Sequence, residues 1–246
     1  MINVGVADYG LNCWYGALYD YNQRFEMLKK IGYDGIECIE VQSAAEAIEV
    51  SVTAKRLGMD FCTCRGATVT ESIMWTTALG KHYVWVESQD KNLDVFCRQT
   101  NAHIDVAEKY GIKVALHNHL GSTVETSEQL DCFMQKCPKC QLILDVGHFS
   151  AAGGNSVDAI KKYSDRIAVI HFKDYVYKDK SAEYWWDRLR FCELGAGVMG
   201  DENARIIKTL LDIGYSGWIF VEHDTHLQDP IIDLTVSRNY IKQFGI

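Results

Sequence analysis

A chain of 246 residues with a formal charge of −8 has room for one α/β domain of barrel size, and its acidic balance argues against nucleic acid as the main partner. No apolar run approaches the roughly 18 residues of a membrane span. Met1-Ile2-Asn3-Val4-Gly5-Val6 lacks a basic region followed by an apolar core, so a cytoplasmic protein with reduced thiols is expected.

The chain alternates short apolar runs with helical periodicity. Strand one is expected at 3–7. An aromatic and polar loop with Tyr9, Asn12, Trp14 and Tyr15 follows. Helix 23–31 stops at Gly32, strand two covers 35–40, and helix 44–57 is closed by Gly58. Strand three covers 60–64, a short helix 69–79 and strand four 82–87. Helix 92–110 ends at Gly111 and leads to strand five at 112–116. Helix 127–136, strand six at 141–146, helix 157–163 and strand seven at 167–172 come next. Helix 201–213, strand eight at 218–221 and a closing helix at 230–244 complete the pattern. Eight such repeats close best as a (β/α)8 TIM barrel forming a single domain over 1–246.

In that fold chemistry lies at the C-terminal ends of the strands. Strand two ends at Glu40, strand three near Arg65 and strand four near Glu87. Strand five runs into His117 and His119, strand six into Asp145 with His148 three residues on. Strand seven carries His171, Lys173 and Asp174; strand eight ends at Glu222, followed by His223, Asp224 and His226. The opposite strand ends carry no comparable cluster. Convergent imidazole and carboxylate groups predict a shared divalent-cation centre, in a mixture that suits Mn²⁺, Co²⁺, Fe²⁺, Zn²⁺ or Mg²⁺ better than Cu(I). His117 and His119 are two apart on a strand and share a side; Asn118 points away and supports packing. His148 reads equally as a loop cap, and Lys173 as a solvated strand end.

Three other features read less specifically. Cys137-Pro138-Lys139-Cys140 has metal or redox spacing but no second pair, and lies at the bottom of the barrel. The long loop 175–200 ends in Gly195-Ala196-Gly197-Val198-Met199-Gly200, which reads as a tight turn, with a backbone cradle for an anion as the alternative. Trp185-Trp186 inside that loop suits core, a substrate wall or a contact with a partner chain.

Leu116-His117-Asn118-His119, Leu144-Asp145-Val146-Gly147-His148, Val169-Ile170-His171-Phe172-Lys173-Asp174, Gly195-Ala196-Gly197 and Val221-Glu222 together resemble the xylose-isomerase-like TIM barrels. Gly153-Gly154, Arg166-Ile167 and Gly214-Tyr215-Ser216-Gly217-Trp218 make the pattern most similar to the inosose (2-keto-myo-inositol) dehydratases. The similarity is close over the C-terminal half and limited to alternation in the N-terminal half. It implies one divalent metal, Mn²⁺ before Co²⁺, Mg²⁺, Zn²⁺ or Fe²⁺, that stabilises an enediolate formed from a keto-sugar or inosose. It implies His117, Asp145, His171 and Glu222 as ligands, Glu222 also as base, and His119 as the acid/base group acting on a departing hydroxyl. His148, Lys173 and Trp14 are expected to bind substrate.

Ketose 3-epimerases carry Glu where His117 stands, so β-elimination fits better than two-carboxylate epimerisation, and Glu125 is a substitute ligand. Elimination from a keto-glycoside is a further alternative. An AP endonuclease with three metals is disfavoured for want of further His and Asp at the strand ends. A non-catalytic barrel subunit would show an incomplete site. Homo-oligomerisation and a partner subunit are both compatible with the sequence.

Overall fold

The computed structural model describes residues 1–7, 11, 20–86, 92–224 and 228–246. Eight parallel strands form one sheet: β1 (Asn3–Ala7), β2 (Gly35–Glu40), β3 (Asp60–Arg65), β4 (Tyr83–Val86), β5 (Lys113–His117), β6 (Gln141–Asp145), β7 (Ile167–Phe172) and, after an inserted hairpin, β10 (Trp218–Glu222). They hydrogen-bond in the order β3-β2-β1-β10-β7-β6-β5-β4, a nearly closed (β/α)8 barrel with its seam between β3 and β4. The helices between them are α1 (Tyr21–Ile31), α2 (Ala44–Leu57), α3 (Val69–Ala78), α4 (Leu93–Ala107), α5 (Ser127–Lys136), α6 (Val146–Ala151), α7 (Ser156–Lys162), α9 (Gly200–Asp212) and α10 (Pro230–Lys242). None is long and apolar enough to cross a membrane.

Local chemistry sets these boundaries. Asp20, Ser43, Thr68 and Thr126 each accept from the backbone N–H three residues on, which starts α1, α2, α3 and α5. The buried stripe Ile206, Ile207 and Leu210 seats α9 in the main apolar cluster. Each such side chain contributes roughly 1.5–3 kcal/mol of burial.

The strands separate two apolar layers. A large cluster fills the space between sheet and helices. A smaller one fills the barrel interior, and seven strands give it one residue each: Ala7, Cys62, Tyr83, Ala115, Ile143, Val169 and Phe220. On the eighth strand, β2, Ile36 pairs with Phe61 and Cys38 with Thr63, which sets Glu37 opposite Cys62. A fully buried carboxylate thus occupies an otherwise apolar layer.

Two expectations are corrected. Strand six stops at Asp145 rather than 146, because the Asp145 side chain caps a short helix, α6, that the sequence did not suggest. The loop 175–200 is not irregular throughout. It contains the antiparallel hairpin β8 (Asp174–Tyr177) and β9 (Leu189–Cys192), joined through the helical turn α8 (Trp185–Arg188). Cys137 and Cys140 are buried free thiols whose Sγ atoms donate to the Cys97 and Val114 carbonyls, and they precede the N-terminal end of β6, opposite the end that carries Asp145.

Candidate metal centre

His117 is the last residue of β5, Asp145 of β6 and Glu222 of β10, while His171 is the penultimate residue of β7. Because neighbouring parallel strands stay in register, their ends converge. One ligand atom from each of these four residues lies within 4.8 Å of the others. Oδ1 of Asp145 accepts from the His148 N–H at 2.9 Å. This leaves Oδ2 for the centre, 3.4 Å from His117 Nε2 and 3.9 Å from His171 Nδ1. Asn118, buried and turned away as expected, clamps β5 to β6: its Nδ2 donates to the Asp145 carbonyl, and its Oδ1 accepts the Asp145 N–H.

His171 is buried between two carboxylates. Its Nδ1 is 2.7 Å from Glu222 Oε2 and its Nε2 is 2.9 Å from Glu37 Oε2. Burial lowers the imidazole pKa, but Glu37 and Glu222 outweigh it and raise it well above the usual histidine range. Glu37 in turn accepts from the Tyr83 hydroxyl at 2.9 Å. Burial, reinforced by Glu37, pushes the Tyr83 phenol far upward, so it remains a donor.

Lys173, with no solvent exposure, follows the last residue of β7 and lies beside this group. Its stem passes Gly147, where a Cβ would come within 2.4 Å of the Lys173 Cβ; only glycine leaves that path open. Nζ lies 3.2 Å from Asp145 Oδ2, 3.3 Å from Glu222 Oε2, 3.0 Å from both Asp224 oxygens and 3.0 Å from His148 Nε2. Burial raises the carboxyls of Asp145, Glu222 and Asp224, but the Lys173 ammonium overrides it and holds all three below their ordinary values. The same carboxylates outweigh desolvation at Lys173 and keep it charged.

A second group lies beside the first, with His119, His148 and Asp224 able to offer ligand atoms. The His119 and His148 rings stand 3.6 Å apart, and Trp185 packs edge-on against both at 5.7 and 5.6 Å. His119 Nδ1 is 2.7 Å from the Leu120 carbonyl, which assigns the ring proton to Nδ1 and leaves Nε2 as the lone-pair nitrogen. Burial, then His148 and Lys173, pulls the His119 pKa down to about 3. Burial and Lys173 likewise lower that of His148.

The residues fit a divalent cation. His171 Nδ1 and Nε2 and Glu222 Oε2 are all buried without an aligned hydrogen-bond partner, and two imidazoles with two carboxylates form a donor set of borderline hardness. Glu37, Asp145, Glu222 and Asp224 are four carboxyl groups against the cations Lys173 and His171, a negative excess that a divalent ion would offset.

The remaining expected residues lie elsewhere. Glu125 accepts from the Gly121 N–H at 3.0 Å and joins neither group. The glycine-rich turn does form a backbone cradle, but Asp174 of this chain fills it, accepting from Gly195, Gly197 and Met199 N–H. His223 Nε2 lies against Ser237 Oγ. Trp14, Glu87 and His226 lie outside the described residues. Glu37 is the residue that strand-end reasoning passes over. Its signal was available: a carboxylate between Ile36 and Cys38 in a run otherwise suited to full burial.

An eight-stranded barrel with His and carboxylate groups at the strand ends is the architecture of the xylose isomerase-like TIM barrels, whose family model matches residues 51–234. The chain belongs to that family. A curated relative, inosose dehydratase of Lactiplantibacillus plantarum, is 32% identical over 165 residues, covering 63% of this chain and 55% of the relative. The chain thus spans about half the length of that protein. The crystal structure of the probable 3-DHS dehydratase AsbF from Bacillus anthracis superimposes with a TM-score of 0.77 at 12% identity, covering 98% of this chain and 99% of that one. The IOLI protein with a binding zinc atom superimposes with a TM-score of 0.73 at 19% identity, covering 99% and 97%.

Proposed function

We propose that this protein is a divalent-metal-dependent enzyme acting on a keto-polyol, a keto-sugar or inosose, and that its reaction is β-elimination of water. The observation that carries the reading is the composition of the quartet His117, Asp145, His171 and Glu222. With an imidazole at position 117, the quartet holds no second glutamate to work opposite Glu222, which favours elimination over epimerisation by two opposed glutamates. The similarity to inosose dehydratases supports the same choice.

His117, Asp145, His171 and Glu222 would hold the metal, Mn²⁺ first among Co²⁺, Mg²⁺, Zn²⁺ and Fe²⁺. Bound there, it supplies a Lewis acid that polarises the substrate carbonyl and spreads the charge left by the α-proton. Glu222, kept ionised by Lys173, takes that proton. His119 enters neutral, so it acts on the departing hydroxyl only after proton uptake; over a turnover the proton removed from carbon leaves with that hydroxyl as water, and Lys173 stays charged as the counter-ion of the carboxylates. His148 and Lys173 bind substrate oxygens, with Trp185 as an apolar wall that limits water. Trp14 is proposed as a further substrate contact.

The test is turnover of Mn²⁺-loaded protein on 2-keto-myo-inositol and a panel of keto-hexoses, with water loss followed by NMR. No divalent binding in excess Mn²⁺, together with full activity in His171→Ala, would overturn the proposal.

One observation favours a second reading. Beside Trp185, Tyr184 and Trp186 stack at 4.9 Å and 7° with about half of each exposed. An aromatic face at the rim suits a bulkier leaving group, as in elimination from a keto-glycoside. Release of a phenol or sugar from a keto-glycoside, without dehydration of free inosose, would favour this reading.

A further inference from the structure

We propose that Glu37 is a positioning residue of the metal centre: its carboxylate, held by the Tyr83 hydroxyl, takes the Nε2–H of His171 and so presents the Nδ1 lone pair of that ring to the cation. The inference rests on the metal-centre reading above and assigns a role to a residue outside the ligand quartet.

Three observations carry it. The first is placement. At this level of the barrel interior seven strands contribute Ala7, Cys62, Tyr83, Ala115, Ile143, Val169 and Phe220. The corresponding residue of β2 is Glu37, only 1% exposed. Burying a carboxylate is unfavourable unless partners offset the lost hydration, so an apolar residue would serve packing better.

The second is the pair of contacts Glu37 makes. Oε1 accepts from the Tyr83 hydroxyl at 2.9 Å, and Oε2 lies 2.9 Å from His171 Nε2. Tyr83 lies on β4, across the β3–β4 seam from β2, so its hydroxyl limits the freedom of the carboxylate from the far side.

The third is the division of the His171 ring. Its Nδ1 edge faces Glu222 Oε2 and Asp145 Oδ2 at 2.7 and 3.9 Å, both in the quartet, while its Nε2 edge faces Glu37. A ligating histidine must offer a bare nitrogen to the ion, and the partner of the other nitrogen decides which one is bare. Neither the Nε2 contact with Glu37 nor the Nδ1 contact with Glu222 is in line for a hydrogen bond. Both ring edges face a carboxylate, but only the Nδ1 edge lies in the quartet, so a cation there takes the place of the Nδ1 proton and Glu37 is the group left to hold the Nε2 proton.

The experiment is calorimetric titration of the purified full chain with Zn²⁺ alone, on wild type, Glu37→Gln and Tyr83→Phe. Long-range ¹H–¹⁵N NMR of the His171 imidazole in the Zn²⁺-loaded proteins accompanies it. Removing an outer partner of a ligating histidine weakens metal binding by about 10- to 100-fold, and that loss is expected for Glu37→Gln. The wild-type spectrum should show Nε2 protonated and Nδ1 ligated, and Glu37→Gln should shift or broaden that pattern. Wild-type binding of Zn²⁺ with an unchanged affinity and unchanged imidazole spectrum in Glu37→Gln would overturn the role of Glu37 and leave the metal centre standing. No Zn²⁺ binding by wild type would overturn both. If Glu37→Gln fails to fold, Tyr83→Phe decides: a several-fold loss supports the inference, and wild-type affinity overturns it.

Discussion

Nζ of Lys173 stands 3.2 Å from Oδ2 of Asp145, and neither side chain has any solvent exposure. This ammonium is the fixed counter-ion of three carboxylates and shares two of them, Asp145 and Glu222, with the proposed cation. Lys173→Met therefore leaves buried negative charge uncompensated, which costs about 3–5 kcal/mol when one partner of a buried pair is removed. Thermal unfolding in EDTA should show a clearly lowered midpoint, partly restored by Mn²⁺, since a divalent ion offsets the same charges. An unchanged midpoint in EDTA would show that Lys173 is not the counter-ion described.

Asp145 has two tasks, and substitution separates them. Oδ1 caps α6 through the His148 N–H, and Oδ2 faces the centre. Asparagine caps helices about as well as aspartate but brings no charge to the cation. Asp145→Asn should keep the fold by circular dichroism while losing more metal affinity than the roughly 10–100-fold typical of an outer partner. Retention of wild-type affinity would remove Asp145 from the ligand set.

His119 is proposed to handle a proton and not to bind the metal. His119→Asn retains a side-chain N–H for the Leu120 carbonyl that Nδ1 now reaches at 2.7 Å. Metal stoichiometry should stay at the wild-type value while kcat falls by about 10²–10⁴, the range of a lost general acid–base group. Loss of metal together with activity would instead place His119 among the ligands.

Much of this arrangement was legible in the sequence because parallel strands in a barrel read as short apolar runs, and their polar ends mark the catalytic face. Strands two and seven match the structure residue for residue, and His117, Asp145, His171 and Glu222 were all visible as strand-end residues. Glu37 was not, since a strand-end rule ignores a charge three residues before the end of β2. Its place became apparent only once the register aligned it with Cys62 and brought Tyr83 and His171 to it. The α6 cap was hidden because Asp145 reads first as a ligand. The glycine turn presented a cradle of N–H groups but not its occupant, Asp174, whose approach depends on the β8–β9 hairpin.

The most direct test of the metal centre is anomalous diffraction from crystals soaked in Mn²⁺, recorded at an energy where manganese scatters strongly. One peak enclosed by His117, Asp145, His171 and Glu222 is predicted. A peak confined to the neighbouring group of His119, His148 and Asp224, or no peak at a concentration that saturates binding in solution, would contradict it.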